Sequence, residues 1–363
     1  MIKVLVVDDS RIVAEFLKHL LSSEPDVQVV GIASNGEEGL RMAQESKPDV
    51  ITMDIHMPKV NGFEATRKIM ETCPTPIVIV SGSTSQDEVA TNFRAVEAGA
   101  LTVIARPRGQ GHPLHEADAR GFVETVKLMS EVRVIRRWPQ AKTEPRVAQT
   151  LANRPRRVEK PRGGVAVVAI GASTGGPMAL QTILSRLPRD FAVPVLIVQH
   201  MARGFAKGFA EWLTQSTGFS TEVATAGQQL LPARAYVAPD DFHMGVGAQG
   251  HILLASDEQE NGTRPSVSFL FRSVATAFGA GAVGVLLTGM GRDGAEELKR
   301  LRERGAVTIA QDEQSSVVYG MPGEAIRIGA AAHVLPPEAI AATLALLVEN
   351  SSGKMMHSDE QRG

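Results

Sequence analysis

The chain has 363 residues, of which 43% are hydrophobic and 21% charged, and its formal net charge is −2. This length is long for one domain and sufficient for two, each with its own hydrophobic core. The nearly neutral charge gives no general argument for binding nucleic acid or a membrane surface. The one cysteine, Cys73, excludes an intramolecular disulfide framework. Without a signal peptide or an apolar run of membrane-spanning length, we expect a cytoplasmic protein with no membrane insertion.

The first third of the chain alternates short apolar runs with amphipathic segments. Five runs are predicted to be strands: Lys3–Val7, Val27–Ala33, Val50–Met53, Ile77–Ser81 and Leu101–Ala105. Strands that alternate with helices indicate a parallel, doubly wound sheet whose functional loops lie at the carboxyl ends of the strands. The last helix of this region is predicted to run from near Glu116 to near Met129, so a first domain covers residues 1–130.

The composition changes in residues 131–164, where ten basic residues face three acidic ones among four prolines. We predict a basic, mostly extended linker. A docking site for an acidic partner or nucleic acid is the alternative, although Trp138 is the one aromatic side chain that could stack on a base.

Residues 165–349 are predicted to form a second α/β domain, and residues 350–363 a disordered tail. Its strand-like runs are Val165–Ile170, Val195–Gln199, Arg234–Val237, Val283–Thr288 and Val307–Ala310. Helices are predicted at Ala206–Ser216 and Ala295–Arg304. Shorter alternating runs indicate a hairpin or edge strands at Thr221–Ala238 and Met244–Ala255. The fold class is therefore α/β, with two doubly wound parallel-sheet domains joined by the basic linker.

Carboxylates follow two neighbouring strands of the first predicted sheet. Asp8 and Asp9 end the first strand, and Asp54 ends the third. Three carboxylates in one crevice repel one another unless a hard cation neutralises them, and Mg²⁺ is the natural partner. The metal would also let Asp54 take a phosphoryl group, whose oxygens Ser81 and a cation on the fifth strand could contact. As an alternative, an acidic residue at a strand end can cap the following helix. This role accounts for one of the three aspartates but not for all of them.

These residues resemble a response-regulator receiver domain over residues 1–129. The resemblance is carried by Val6–Ser10, Met53–Pro58, Asn61–Gly62 and Ser81. It implies a flavodoxin-like fold in which Asp54 is the phospho-acceptor and Ser81 the switch hydroxyl. It further implies that Mg²⁺ is bound by Asp8, Asp9, Asp54 and the backbone carbonyl of His56.

One position departs from the receiver pattern. The family has lysine before proline at the end of the fifth strand, whereas this chain has Arg106 before Pro107. Arginine keeps the charge but not the compact geometry of an ammonium group. We expect phosphorylation to persist, with a changed coupling to the output or a changed lifetime of the phosphoryl group.

The stretch Gly171–Gly175 reads G-A-S-T-G and lies between an apolar run and a helix-like segment. A strand, a tight glycine turn that carries serine and a helix form the context of a nucleophile elbow, with Ser173 as the nucleophile. The N–H groups at the start of the helix would stabilise an oxyanion. The alternatives are a plain glycine-rich turn or a phosphate cradle, although the lysine of a P-loop and a glycine at position 173 are both absent.

Two further candidates also follow strands. His200 comes directly after Val195–Gln199, and Asp293 comes shortly after Val283–Thr288. With Ser173 they would meet at one sheet edge as nucleophile, base and orienting carboxylate. The chain order Ser–His–Asp differs from that of α/β-hydrolases, so the chemistry would be similar on a different fold.

Each of these candidates also has an alternative role. His200 could be a capping or core histidine, and Asp293 could cap the helix that starts near Ala295. His243 is the rival base, although it belongs to a loop between alternating runs.

Residues 164–336 resemble the catalytic domain of the chemotaxis protein-glutamate methylesterase (CheB) family. The resemblance is carried by Gly171–Pro177, Gln199–Met201, Arg264–Val267, Thr288–Gly294 and Tyr319–Pro322. With a receiver in front, the chain resembles the whole two-domain enzyme, with a Rossmann-like catalytic domain. The family implies Ser173 as nucleophile, His200 as base and Asp293 as its orienter. The backbone N–H groups of Thr174 and Met290 would bind the oxyanion.

The resemblance implies a phosphorylation-regulated serine hydrolase that removes methyl esters from glutamyl side chains of chemoreceptors. Some members also deamidate receptor glutamines, and the sequence does not decide whether this chain does. We expect Mg²⁺ in the receiver, no cofactor in the catalytic domain and a chemotaxis-type histidine kinase as phospho-donor. We expect no nucleic-acid partner, and nothing demands more than a monomer. The alternatives are the same enzyme in a non-motility pathway, or a non-catalytic binding module controlled by the receiver.

Overall fold

The computed structural model describes residues 1–82, 86–132, 134, 164–247 and 249–355, with the backbone alone at 86–91 and 350–355. The chain divides into two compact units, residues 1–149 and 150–363. Nearly all of the predicted basic linker, residues 131–164, lies outside the described residues. Among the described helices, none has the length and apolar character that crossing a membrane requires.

The first unit is a five-stranded parallel sheet in the order β2-β1-β3-β4-β5. Its elements are β1 (Ile2–Val7), α1 (Arg11–Ser22), β2 (Val27–Ala33), α2 (Gly36–Ser46), β3 (Val50–Met53), α3 (Gly62–Thr72), β4 (Ile77–Ser81), α4 (Gln86–Ala98), β5 (Thr102–Ala105) and α5 (His115–Ser130). Strands β2, β3 and β4 have the predicted bounds, and β1 and β5 differ by a single terminal residue. The predicted doubly wound α/β fold is confirmed for this unit.

Side chains at three helix starts explain how the loops at the strand ends are fixed. Ser10 accepts a hydrogen bond from the Val13 N–H at the start of α1. Asn35 and Asn61 cap α2 and α3 in the same way, at 3.1 and 3.0 Å. Each cap satisfies a backbone N–H that has no partner within its own helix. Three of the turns at the carboxyl edge of the sheet are therefore held by side-chain hydrogen bonds.

The second unit contains a seven-stranded parallel sheet in the order β14-β13-β12-β6-β7-β9-β8, and a separate antiparallel hairpin of β10 and β11. Its strands are β6 (Val167–Ala172), β7 (Val195–Gln199), β8 (Thr221–Val223), β9 (Ala235–Val237), β10 (His243–Val246), β11 (Ile252–Ala255), β12 (Ala282–Leu286), β13 (Val307–Gln311) and β14 (His333–Leu335). Its helices are α6 (Gly176–Leu184), α7 (Ala206–Thr217), α8 (Val267–Ala277), α9 (Ala295–Glu303), α10 (Met321–Arg327) and α11 (Pro337–Met355).

Helices cover both faces of this sheet. Alternate residues of the central strands, such as Val167 and Ala169 of β6, belong to a buried core with Phe271 of α8 and Leu298 of α9. The residues between them point to the other face, because side chains alternate along a strand. Every residue of β6 is buried, as expected of a central parallel strand. The predicted parallel α/β fold of this unit is therefore also confirmed.

Several elements differ from the sequence-based expectation. Strand β6 ends at Ala172 rather than Ile170, because its last residues pair with β7 and β12. The two regions expected to form a hairpin or edge strands agree with that expectation: β8 and β9 pair in parallel at one edge of the sheet, and β10 and β11 form a hairpin. Helix α11 continues to Met355, past the point where we expected a disordered tail, since no proline interrupts it. Residues 356–363 lie outside the described residues.

Candidate active site

Ser173, His200 and Asp293 follow three neighbouring strands. Ser173 follows β6, His200 follows β7, and Asp293 lies in the loop after β12, on the other side of β6. The His200 N–H donates to the Ala172 carbonyl at 2.9 Å, and the Ser173 N–H donates to the Thr288 carbonyl at 3.0 Å. These bonds continue the pairing of the strands past their ends. The site thus occupies the carboxyl edge of the sheet, where doubly wound folds bind their ligands.

The turn after β6 depends on glycine at two positions. Gly175 has φ +81°, in the left-handed region, and occupies the N-cap position of α6. A Cβ atom at Gly289 would lie 2.6 Å from Cβ of Ser173. A larger residue at either position would therefore displace the serine turn or the loop that approaches it.

His200 and Asp293 are joined by a hydrogen bond of 3.0 Å between Nε2 and Oδ2. Asp293 is buried, and His200 is partly exposed. An ionised carboxylate only accepts hydrogen bonds, so Nε2 carries the proton of the neutral ring. The other ring nitrogen, Nδ1, is then the one that can take a proton.

The Asp293 carboxylate accepts hydrogen bonds from six donors. Oδ1 accepts from Asn261 Nδ2, Ser266 Oγ and the Ser268 N–H, and Oδ2 accepts from His200, Thr263 Oγ1 and the Val267 N–H. Two of these donors are the first backbone N–H groups of α8, so the anion lies at a helix N-terminus. The alternative in which Asp293 caps the following helix does not hold, because Gly294 occupies the N-cap of α9.

Burial by itself would raise the pKa of Asp293. The hydrogen bond and charge of His200, with the bonds from Ser268 and Val267, outweigh burial and hold the pKa of this carboxyl far below its usual range. Asp293 is therefore ionised at neutral pH.

The two predicted oxyanion donors lie in the turn after β6 and in the loop after β12. The N–H groups of Thr174 and Met290 donate to no acceptor within the described part of the chain. The Thr174 carbonyl is held by Thr288 Oγ1 at 2.9 Å, and the carbonyl before Met290 accepts from the Met321 N–H at 2.8 Å. A cavity of about 340 Å³ opens beside Met290, lined by His200, Asn261, Thr263, Met290, Gly291, Arg292 and Asp293.

His243, the rival base, is a core residue. Its ring is fully buried and stacks on Phe269, with ring centroids 5.0 Å apart. Its Nδ1 accepts from the Ser266 N–H at 3.2 Å, and its Nε2 lies 2.9 Å from the Glu258 carbonyl. Both ring nitrogens are therefore occupied within the fold.

The first unit brings Asp8, Asp9 and Asp54 together at the carboxyl edge of its own sheet. One carboxylate oxygen of each lies within 4.8 Å of the others. Burial raises the pKa of Asp8 to about 6, and burial also raises the pKa of Asp54. Oδ2 of Asp8 is buried and has no hydrogen-bond partner among the described residues. Oxygen donors and an orphaned carboxylate oxygen are what a hard cation requires, so these residues fit Mg²⁺.

The other predicted receiver residues lie at or shortly after the ends of β3, β4 and β5. Nη2 of Arg106 lies 3.9 Å from Oδ2 of Asp8 and 3.9 Å from Oδ1 of Asp54. Ser81 Oγ accepts a hydrogen bond of 2.7 Å from the buried amide of Asn92, which the sequence did not single out. The His56 side chain is exposed.

Comparison with known proteins decides the family. Residues 168–344 match the CheB methylesterase family, and residues 4–117 match the response regulator receiver domain. Protein-glutamate methylesterase/protein-glutamine glutaminase 4 of Geobacter metallireducens is 57% identical, over 96% of this chain and 99% of that protein. This chain belongs to the CheB methylesterase family. The enzyme of the same name from Nitrosospira multiformis is 56% identical, over 96% and 97% of the two chains.

A solved structure supports the same assignment for the second unit. The CheB methylesterase catalytic domain of Thermotoga maritima is 37% identical, with a TM-score of 0.50, and covers 51% of this chain and 99% of that one. In this CheB family member, sequence patterns did not identify the side chains that hold Asp293. Asn261 and Thr263 lie in an irregular loop, and only Ser266 belonged to a segment that carried the resemblance.

Proposed function

We propose that this chain is a receiver-controlled serine esterase that removes methyl groups from glutamyl methyl esters of chemoreceptors. The observation that carries the proposal is the hydrogen-bonded His200–Asp293 pair at the same sheet edge as the Ser173 turn. The names of its close relatives supply the substrate class.

Ser173 Oγ attacks the ester carbonyl carbon while Nδ1 of His200 takes the hydroxyl proton. Asp293 accepts the Nε2–H and stabilises the imidazolium that forms. Because five other donors fix the carboxylate, the ring is held in one tautomer and one orientation.

The N–H groups of Thr174 and Met290 bind the oxyanion of the tetrahedral intermediate, and losing one such donor costs about 3 kcal/mol. His200 then protonates the leaving methoxide, and methanol departs. Water attacks the acyl-enzyme as His200 takes its proton. The bond between the acyl carbon and Ser173 Oγ then breaks, His200 returns the proton to Ser173 Oγ, and the glutamate carboxyl that is released ionises. The named relatives couple esterase and glutaminase activities. We extend the proposal to glutamine, where the same attack releases ammonia.

In the receiver, Asp54 accepts a phosphoryl group from a histidine kinase, and Ser81 and Arg106 contact its oxygens. Asp8, Asp9, Asp54 and the His56 carbonyl would hold Mg²⁺, which offsets negative charge on the carboxylates and the phosphoryl group when bound.

We also propose the boundaries that follow from this assignment: the receiver at 1–130, the linker at 131–164 and the catalytic domain from 165 to the end of α11. The enzyme would act in the cytoplasm as a monomer, with no nucleic-acid partner.

Methanol release from methylated chemoreceptor cytoplasmic fragments tests the proposal with the full-length chain. We expect release from the wild type, a rise with a small phospho-donor, and no rise in Asp54→Asn. Ser173→Ala should abolish release, whereas the matched control Ser185→Ala, at the other end of α6, should retain it. Absence of release from the wild type under both conditions would favour the non-catalytic binding module.

A further inference from the structure

The side chain of Gln199 joins the main chains of the nucleophile and the base. Gln199 is the last residue of β7, pairs with Ala172 of β6 and is 4% exposed. Its Nε2 donates to the Ser173 carbonyl at 2.7 Å and to the His200 carbonyl at 2.9 Å. Both protons of one amide group are thereby used on the two residues that exchange a proton in the proposed reaction.

The orientation of this amide is fixed by its surroundings. The reverse orientation would place Oε1 against two carbonyl oxygens, with no proton between them. Oε1 instead points at Gly176, the first residue of α6, and has no hydrogen-bond partner among the described residues. A Cβ atom at Gly176 would overlap Oε1. Gly176 therefore provides the space that Gln199 occupies.

The bond to the Ser173 carbonyl also determines where an oxyanion donor points. That carbonyl accepts a second hydrogen bond of 2.8 Å, from the Gly176 N–H. The peptide bond is planar and trans, so fixing the Ser173 carbonyl fixes the Thr174 N–H in the opposite direction. Gln199 thus acts on the oxyanion donor through the peptide it holds.

The amide keeps one buried acceptor, Oε1, without a partner, which is unfavourable. An apolar side chain of the same size would remove that acceptor, but it would leave the His200 carbonyl without the donor that Gln199 supplies. The amide nevertheless stands here, with both protons directed at the catalytic turn and the base.

We propose that Gln199 is a positioning residue that aims the Thr174 N–H at the oxyanion and holds the main chain of His200 in register with Ser173. The inference rests on the proposed function, because it assigns a task within the same site. It concerns the transition state, so it predicts a loss in kcat rather than in substrate binding.

Gln199→Met in the full-length enzyme tests this inference, since methionine has a similar length and no donors. Removal of an oxyanion donor lowers kcat by about 10²–10³, so misdirecting one should lower kcat by about 10- to 100-fold with KM nearly unchanged. Gly176→Ala should produce the same defect, because its methyl group would displace Oε1. The second readout is the rate at which a fluorophosphonate labels Ser173, which should fall by a similar factor.

Thr308→Val is the matched control. Thr308 is buried in β13 and uses its hydroxyl to bond the Ala330 carbonyl and the Ala332 N–H, away from the site. We expect it to lower the melting temperature without changing kcat per active enzyme.

Wild-type kcat in both Gln199→Met and Gly176→Ala would overturn the inference. The inference would also be overturned if the loss in rate disappeared once rates are divided by the number of active sites found by titration. Labelling of Ser173 needs no receptor, so it still tests Gln199 if the wild type releases no methanol and the proposed substrate is wrong.

Discussion

Replacement of Asp293 by asparagine tests how the carboxylate supports His200. The new NH₂ group must face one of two sets of donors. On the Oδ2 side it would meet the backbone N–H of Val267 at 2.7 Å and the ring of His200 at 3.0 Å. The backbone donor cannot become an acceptor, so this orientation is unfavourable.

The Oδ1 side can adapt more easily. The Ser266 hydroxyl can rotate and the Asn261 amide can turn, so that each accepts a proton from the new group. Only the Ser268 N–H would lose Oδ1 as an acceptor, and it keeps Ser266 Oγ as a second acceptor at 3.1 Å. We therefore expect the asparagine to keep its oxygen towards His200 and to preserve the ring tautomer.

The magnitudes follow from this orientation. The hydrogen bond that the Ser268 N–H loses goes to a charged oxygen, and such a bond is worth about 1.5–3 kcal/mol. The loss of an anion at the N-terminus of α8 costs up to about 2 kcal/mol. We expect the free energy of unfolding of the second unit to fall by about 2–4 kcal/mol. The imidazolium keeps a hydrogen bond to the amide oxygen but loses its attraction to an anion, and a loss of about 1.5–3 kcal/mol corresponds to a fall in kcat of about 10- to 150-fold.

Methanol release and urea unfolding of full-length Asp293→Asn measure both quantities, with the transition of the first unit as internal reference. Because the pKa of Asp293 is depressed in the folded protein, its stabilisation is present above the unfolded pKa of about 4 and is lost as pH falls through the folded pKa. The stability difference from wild type should therefore shrink below about pH 4. Unchanged kcat would refute the role of Asp293, and a loss of about 10⁴, typical of a wrong tautomer, would refute the predicted orientation.

Two other substitutions test the rival base and the receiver. His243→Gln should lower the free energy of unfolding by about 1–3 kcal/mol, because one of two buried hydrogen bonds is lost, and should leave kcat within about twofold. A collapse of kcat like that of His200→Ala would reinstate His243 as the base. Arg106→Lys should change the half-life of phosphorylated Asp54, measured by phosphate release, because a compact ammonium replaces a guanidinium 3.9 Å from that carboxylate. An equal half-life with equal stimulation of the esterase would contradict this expectation.

The bounds of a strand are predicted best where a short apolar run is buried on both faces of the sheet. Strand β7 has the predicted bounds Val195–Gln199 because four apolar residues and Gln199 lie between Pro194 and His200. The positions of Ser173 and His200 at strand ends follow from such local patterns. Local patterns do not reveal that β6 lies between β7 and β12, since the pairing of β6 with β12 joins residues more than 100 positions apart.

The hydrogen bonds that hold the site are the part that the sequence does not reveal. Asn261 and Thr263 lie in a loop without periodicity, and they reach Asp293 across about 30 positions of the chain. Helix α8 contributes two backbone N–H groups whose role depends on where its N-terminus lies, not on which side chains it carries. Such contacts are set by tertiary packing, so only the structure identifies them.

The central claim is that Ser173 is a nucleophile activated by His200. It is tested most directly by treating the full-length protein with a fluorophosphonate and mapping the adduct by peptide mass spectrometry. We predict one adduct, on Ser173, that is absent in Ser173→Ala and forms at least about 10³-fold more slowly in His200→Ala. Labelling at another serine, or an unchanged rate in His200→Ala, would contradict the account.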